Sequence, residues 1–154
     1  MHHDASLFTL MALGGFFVFI ILALSITMYV LSSIGLYKLA ANQKIDNPWM
    51  AWIPVANLYI LGSIIKSLKI DSYQIPNIQL VLPIGFLLTI ILRPTPLIGS
   101  AVNIAYFILC LLAIYKLYKI YRPNQAVVWL ILSIILPFMG PIFIFIMRND
   151  APVE

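Results

Sequence analysis

The chain has 154 residues, of which 63% are hydrophobic and only 9% are charged. Soluble domains carry about 25% charged residues, so this composition argues against a water-soluble enzyme and indicates one integral membrane domain over residues 1–154. The net charge of +4 comes from nine Lys and Arg and five Asp and Glu that stand between apolar runs. We therefore expect the lipid bilayer, and no nucleic acid, as the partner of the basic residues.

The charged residues divide the chain into five uncharged stretches, at 5–37, 47–65, 72–92, 94–115 and 123–147. A crossing helix needs about 20 mostly apolar residues, so each stretch could cross by length alone. Lipid offers no partner for an unpaired backbone N–H or C=O, and these runs lack the alternation of a barrel strand. The predicted fold class is therefore all-α, a polytopic bundle of transmembrane helices.

The first stretch, 5–37, is rich in Leu, Ile and Phe and has no proline. It is much longer than the apolar region of a signal peptide, about 7–15 residues, and no Lys or Arg precedes it. We expect a retained crossing helix. Aromatic residues near the ends of the stretches are predicted to anchor the protein at the membrane interface, and they are Tyr37, Trp49, Trp52 and Tyr115.

The second stretch, 47–65, is the weakest candidate for a crossing helix. Trp49 and Trp52 suit the headgroup level, while Pro54 and Asn57 lie one helical turn apart and would be costly in bare lipid. We expect Pro54 to break the helix. This stretch is predicted to be interfacial or re-entrant.

Prolines are also expected to interrupt the helices in the second half of the chain. The run Arg93-Pro94-Thr95-Pro96 joins the third and fourth stretches and predicts a tight turn between antiparallel helices. In the fifth stretch, Pro137, Gly140 and Pro141 are expected to kink the helix or split it into two half-helices.

Counting Lys and Arg separates two topologies. If all five stretches cross, the two sides hold four and five basic residues, and no positive-inside bias appears. If 47–65 does not cross, seven basic residues face two, Arg93 and Arg148, which is the asymmetry of a cytoplasmic face. The favoured prediction is four spans with the N-terminus extracytoplasmic, and five spans are the alternative.

No Asp, Glu, Lys, Arg or His occurs within the five stretches. This pattern argues against proton relays and most catalytic schemes, so we expect no enzyme, no cofactor and no metal site. Asn57 and Asn103 either line a polar cavity or make structural hydrogen bonds between helices. Lys116, Lys119 and Arg122 are candidates for contact with anionic lipid, the alternative being a solvated loop.

Two short runs carry family resemblances. The run 52–59, which contains Ile53-Pro54 and Asn57, resembles an IPxxNxY pattern of small multi-span proteins of bacterial cytoplasmic membranes. The run 137–143 is similar to the proline-glycine hairpin that precedes some phospholipase D-like and cardiolipin synthase domains. The second group's catalytic His-Lys-Asp motif is absent from this sequence, so the resemblance implies no activity.

Three functions are compatible with these features. The leading hypothesis is a non-enzymatic accessory or regulatory subunit of a bacterial cytoplasmic membrane complex, with a membrane protein or a second copy as its partner. The runner-up is a small-solute transporter or channel, because unwound helices at membrane depth often line cavities. The third is an immunity or stress protein against membrane-active peptides.

Overall fold

The computed structural model describes residues 2–70 and 73–153, with side chains described for 11–69 and 74–153. The prediction of an all-α fold is confirmed. A short 3-10 helix, Pro48–Trp52, and two three-residue strands supplement six α-helices in the described part of the chain. In chain order the α-helices and strands are α1 His2–Asn42, α2 Ala56–Ile65, β1 Leu68–Ile70, β2 Tyr73–Ile75, α3 Ile78–Ile91, α4 Pro96–Tyr121, α5 Ala126–Ile135 and α6 Met139–Met147.

Within the described residues, two helices are long and apolar enough to cross a membrane, Met11–Asn42 within α1 and Pro96–Tyr121, which is α4. The apolar helices α2, α3 and α5 are shorter, with 10, 14 and 10 residues. A helix rises about 1.5 Å per residue, so α3 is about 21 Å long and α5 only about 15 Å.

Four helices end together at one end of the bundle. The Asn42 side chain at the end of α1 donates to the Arg148 carbonyl after α6, at 3.2 Å. The neighbouring Gln43 amide donates to the Tyr121 hydroxyl at the end of α4, at 2.8 Å. The end of α2 joins them, since Ile64 lines a cavity together with Gln43.

We call this end, where α1, α2, α4 and α6 finish, the basic end. Eight of the nine Lys and Arg lie in the last turns of these helices or in the segments that follow them. Only Arg93, in the turn between α3 and α4, lies at the opposite end. Charge is therefore strongly asymmetric along the bundle axis.

The segment 48–65 enters the bundle from the basic end and returns to it. The Tyr29 hydroxyl of α1 donates to the Trp52 carbonyl at 2.8 Å. Tyr29 precedes Asn42 by 13 residues, so the 3-10 helix reaches about 20 Å into the bundle. Pro54 and Val55 form the apex, and α2 then runs back to the basic end. We call 48–65 hairpin 1.

The fifth stretch also folds back. A break at 136–138, around Pro137, separates α5 from α6, as predicted from its prolines. The Trp129 and Phe143 rings, on α5 and α6, stack at 4.3 Å with an interplanar angle of 13°. A Cβ added at Gly35 of α1 would meet the Ile144 carbonyl oxygen at 2.7 Å, so α6 lies directly against α1. We call 126–147 hairpin 2. It consists of two antiparallel helices, which is the split into half-helices and not the kink, the two outcomes that the sequence left open.

Helices α3 and α4 form the third antiparallel pair, joined by the tight turn that the sequence predicts. The Tyr106 hydroxyl of α4 donates to the Leu82 carbonyl of α3 at 3.1 Å. Gly85 lies against the Tyr106 ring, where an added Cβ would come within 2.8 Å. Glycine is what allows this close approach.

The core lies in the half of the bundle near the basic end, where Leu39, Leu117, Tyr118 and Met147 are fully buried. The other half of α1 is different. Its side chains from 11 to 27 are all exposed. An added Cβ at Gly14 or Gly15 would meet nothing within 4 Å. This half of α1 therefore has no packing partner among the described residues.

Candidate functional site

The two hairpins meet at a cavity of about 390 Å³ in the middle of the bundle. Hairpin 1 contributes Asn57, and hairpin 2 contributes Pro137 and Pro141 from its break. The walls are completed by α1 and α4, and most of the lining side chains are apolar. We call this space the Asn57 cavity. The helix breaks predicted at Pro54, Pro137, Gly140 and Pro141 are thus close to one site, and all but Pro54 line this cavity directly.

A second cavity of about 370 Å³ adjoins the first and is lined by Pro54, Val55 and Tyr106 among others. The two cavities share Asn57, Leu58 and Cys110. We call this second space the Tyr106 cavity.

The two cavities lie in series along the bundle axis. On α1, the Tyr106 cavity is lined by Tyr29 and the Asn57 cavity by Ser32 and Leu36, which are closer to the basic end. The same order holds on α4, where Tyr106 precedes the residues from 107 to 114. The Tyr106 cavity is therefore the one nearer to the end that carries Arg93.

Asn57 is the polar group between the two cavities. Its backbone N–H donates to the Ile53 carbonyl at 3.0 Å. Its side-chain amide is available, because it has no hydrogen-bond partner among the residues that the structure describes. An unpaired amide in an apolar setting is costly, because it loses water without gaining a partner. The Asn57 amide is consequently ready to pair with a ligand.

The backbone before Asn57 is strained. Val55, at the apex of hairpin 1, has φ 71° and ψ −45°. A positive φ is a genuine outlier for a β-branched residue, and such strain tends to cluster at functional sites. The turn reverses the chain after Pro54, so that α2 begins at Ala56 and presents Asn57 to the cavities.

Most of the other polar side chains around the cavities are already engaged, the exception being Ser32, which lines the Asn57 cavity without a hydrogen-bond partner among the described residues. The Tyr29 hydroxyl donates to the Trp52 carbonyl, and the Tyr106 hydroxyl donates to the Leu82 carbonyl. The Ser133 and Tyr118 hydroxyls form a hydrogen bond with each other at 2.9 Å, and the Ser133 hydroxyl donates to the Trp129 carbonyl. These bonds fix the walls, and Asn57 differs from these residues in having no partner.

Asn103 does not join Asn57. It lies on the exposed surface of α4, and its amide donates to the Gly99 carbonyl of the same helix at 2.8 Å. It is absent from the linings of both cavities. The residue therefore behaves as a structural amide bonded to its own backbone.

The predicted interface anchors lie at the surface with one exception. Trp49 and Trp52 of the 3-10 helix are 56% and 44% exposed, and Tyr37 is 37% exposed. Tyr115 is partly buried against the core. Since both tryptophans belong to hairpin 1, their depth follows the depth of that hairpin.

The three cationic residues proposed for lipid contact have different environments. Arg122 donates to the Asp150 carboxylate at 2.8 Å, and its guanidinium lies 5.2 Å from the Trp129 ring centroid. The bond to Asp150 raises the pKa of Arg122. Lys119 is exposed. Lys116 lines a cavity together with Lys66 and Gln43, two residues that the sequence did not single out.

Comparison with models of protein families, with curated proteins and with solved structures gave no match. Within residues 2–70 and 73–153, no three His, Cys, Asp or Glu side chains come together as metal ligands. The candidate site thus consists of the Asn57 and Tyr106 cavities and their one unpaired amide.

Proposed function

We propose that the chain is an integral membrane protein with three crossing helices, α1, α3 and α4, and with hairpins 1 and 2 re-entrant from the cytoplasmic side. Eight basic residues at one end against Arg93 at the other favour the basic end as cytoplasmic and the N-terminus as extracytoplasmic. The 20 residue-to-residue steps from Pro96 to Lys116 rise about 30 Å, which is the thickness of the hydrocarbon core.

Labelling of single cysteines in a Cys110→Ala background tests this topology. We expect Thr95→Cys to react with an impermeant maleimide from outside, and Gln125→Cys and Ala151→Cys only from inside. Ala151 discriminates between the alternatives, because four crossing helices would put it outside. External labelling of Ala151→Cys would contradict the re-entrant assignment of hairpin 2.

For the function, we propose a small-solute transporter or channel. The observation that carries this proposal is the pair of cavities in series with the unpaired Asn57 amide between them. Two independently broken segments contribute to the same cavity, and broken helices at membrane depth characteristically line solute sites. Volumes of about 390 and 370 Å³ lie in the lower part of the range for small-molecule sites, about 300–1,000 Å³.

The lining restricts the class of solute. Among the residues that the structure describes, no Asp, Glu, Lys, Arg or His lines either cavity, so an ion would lose its hydration without compensation. A neutral solute with an apolar body and one donor-acceptor group would satisfy Asn57, since an amide both donates and accepts. We therefore propose a small neutral amphipathic solute.

The test uses benzamide, whose amide can pair with the Asn57 amide, and benzoate, its charged analogue. In nanodiscs, benzamide should raise the melting temperature of the wild-type chain, and benzoate should not. Asn57→Leu should weaken the response at least about tenfold, equivalent to one lost hydrogen bond of about 1.4 kcal/mol. Asn103→Leu is the matched control and should respond as wild type does.

Transport is tested separately in proteoliposomes with butyramide, a neutral solute with an apolar body and one amide. Uptake should exceed that of protein-free liposomes and should fall in Asn57→Leu but not in Asn103→Leu. Uptake equal to that of empty liposomes, together with no response to benzamide, would dispose of the proposal.

A second candidate, an accessory subunit of a membrane complex, is favoured by the free half of α1. The uncharged stretch 5–37 has 33 residues and would rise about 50 Å as a helix. To lie entirely within a hydrocarbon core of about 30 Å, this helix would have to tilt by more than about 40°, which is beyond the usual range. A partner membrane protein or a second copy packed on residues 11–27 would cover the surplus. Recovery of only the lone monomer in mild detergent, at native expression, would count against this candidate.

A further inference from the structure

A third cavity, of about 390 Å³, opens at the basic end. We call it the basic-end cavity. It lies where α1, α2 and α4 finish, and the C-terminal tail forms part of its wall through Pro152. Its polar lining residues are Gln43, Lys66, Ser67 and Lys116. The other lining residues are apolar, so these four side chains determine what the cavity can bind.

Lys66 and Lys116 both line this cavity. Among the described residues, neither lysine has an acidic partner and no Asp or Glu lines the cavity. Asp150, two residues before Pro152 in the tail, is engaged with Arg122 at 2.8 Å. Two like charges around one small space repel each other unless an anion lies between them. The cavity therefore favours an anion.

The backbone places Lys66 and Ser67 with some strain. Lys66 has φ 62° and ψ −54°, and the Ser67 N–H donates to the Ile65 carbonyl at 2.7 Å, which closes a γ-turn of the rare positive-φ form. This turn ends α2 and directs the chain into β1 while keeping Lys66 and Ser67 on the cavity. The opposite wall is held by the Val153 N–H, which donates to the Ile120 carbonyl at 2.8 Å.

Gln43 adds a requirement of its own. Its Nε2 donates to the Tyr121 hydroxyl at 2.8 Å, while its buried Oε1 has no donor among the described residues. A buried carbonyl oxygen without a partner loses the free energy of hydration. The Ser67 hydroxyl likewise has no partner in the described part of the chain. A ligand that satisfies all four side chains needs anionic oxygens for Lys66, Lys116 and Ser67, and a hydroxyl for Gln43.

We propose that the basic-end cavity binds a phosphate ester with a neighbouring hydroxyl, the chemistry of a glycerol phosphate group. Lys66 and Lys116 bind the phosphate oxygens, the Ser67 hydroxyl donates to one of them, and the Gln43 Oε1 accepts from the glycerol hydroxyl. The group can come from an anionic phospholipid headgroup or from a soluble glycerol phosphate. This site is separate from the Asn57 cavity, so its test neither depends on solute transport nor decides it.

The test uses the full chain in phosphatidylcholine nanodiscs. In one arm, native mass spectrometry compares retention of phosphatidylglycerol, phosphatidic acid and phosphatidylcholine. In the other arm, soluble glycerol phosphate and inorganic phosphate are titrated against the melting temperature. Lys66→Gln and Lys116→Gln remove one cavity charge each. Lys38→Gln is the matched control, because Lys38 is exposed on α1 and does not line the cavity.

We expect each cavity variant to weaken binding about tenfold, which corresponds to about 1.4 kcal/mol, and Lys38→Gln to change it less than about twofold. Gln43→Leu should remove the preference for phosphatidylglycerol over phosphatidic acid, which lacks the glycerol hydroxyl. Preference for the lipid identifies the headgroup as the ligand, and a response to soluble glycerol phosphate alone identifies the free ester. Two results would overturn the proposal. One is an equal loss of binding affinity in Lys38→Gln and Lys66→Gln. The other is that no anionic lipid is retained more strongly than phosphatidylcholine and that soluble glycerol phosphate gives no response.

Discussion

The contact between α1 and α6 gives the sharpest prediction about the fold, and Gly35→Ala is the change that tests it. An added Cβ would lie 2.7 Å from both the Cγ2 and the carbonyl oxygen of Ile144, and 2.8 Å from its carbonyl carbon. Ordinary van der Waals contact begins near 3.4 Å, so the helices must separate by 3.4 − 2.7 = 0.7 Å. Backbone atoms cannot turn aside as a flexible side chain can.

The magnitude follows from two opposing terms. Overpacking of this kind costs about 1–3 kcal/mol. Replacing glycine by alanine inside a helix contributes up to about 1 kcal/mol in the other direction. Gly15→Ala is the matched control, because it makes the same change in the same helix with nothing within 4 Å of the new Cβ. The difference between the two variants isolates the packing term, and we expect Gly35→Ala to be less stable by about 1–3 kcal/mol.

Reversible unfolding in mixed micelles titrated with sodium dodecyl sulfate measures both variants against wild type. A second readout is the ring contact of hairpin 2, since loosening α6 should also alter the environment of Trp129, which stacks on Phe143. If the free energies of unfolding of Gly35→Ala and Gly15→Ala agree within about 0.5 kcal/mol, the 0.7 Å clash does not exist. The packing of α6 along α1, and with it the return of hairpin 2 to the basic end, would then be wrong.

The remaining predictions concern hairpin 2 and the tail. Trp129→Ala should cost about 3 kcal/mol in the same unfolding assay, because the stack on Phe143 and the edge contact with Tyr118 are both lost. A loss below about 1 kcal/mol would mean that the stack does not hold the hairpin. Tyr118→Phe removes only the 2.9 Å bond to Ser133 and should cost about 0.6 kcal/mol, with a loss near that of Trp129→Ala as the contrary result. Asp150→Asn should lower the free energy of unfolding by less than about 1 kcal/mol, since the pair with Arg122 is partly exposed, although limited proteolysis should cut the tail sooner. Unchanged proteolysis would show that this ion pair does not hold the tail.

Local chemistry predicts much of this fold. The apolar runs predict helices because lipid would leave any other backbone unpaired. Pro137 removes a helical hydrogen bond, so the break between α5 and α6 follows from the sequence. The turn between α3 and α4 follows in the same way from its two prolines. These features depend on neighbours in the chain, which a single sequence records.

The direction of the chain after each helix break depends on contacts with distant residues, and the neighbouring sequence does not determine it. Hairpin 2 turns back because Trp129 stacks on Phe143 and because Gly35 admits Ile144, contacts that no periodicity within 123–147 reveals. The basic-end cavity joins Lys66 to Lys116, 50 residues apart. Sequence spacing could not show that these two lysines meet.

The two asparagines show the same contrast between features that the neighbouring sequence predicts and features that it does not. Asn103 reaches the Gly99 carbonyl one turn away, a bond that any exposed helical asparagine can make. Asn57 is the second residue of α2, directly after the strained Val55 turn, and its side chain makes no such bond among the described residues. The sequence offers both residues as equal candidates, and only the turn geometry distinguishes them.

The long first helix also has a mechanical consequence. Both hairpins pack on the half of α1 nearest the basic end, through the Tyr29 bond to Trp52 and the Gly35 contact with Ile144, while residues 11–27 are unsupported. In the proposed topology, this unsupported part of α1 would lie in lipid, and the tilt of the helix would follow bilayer thickness. A change of tilt would move the apices of the two hairpins together, so the space between them would respond to the membrane itself. Spin-label distances between the apices that stay constant from thin to thick bilayers would exclude this coupling.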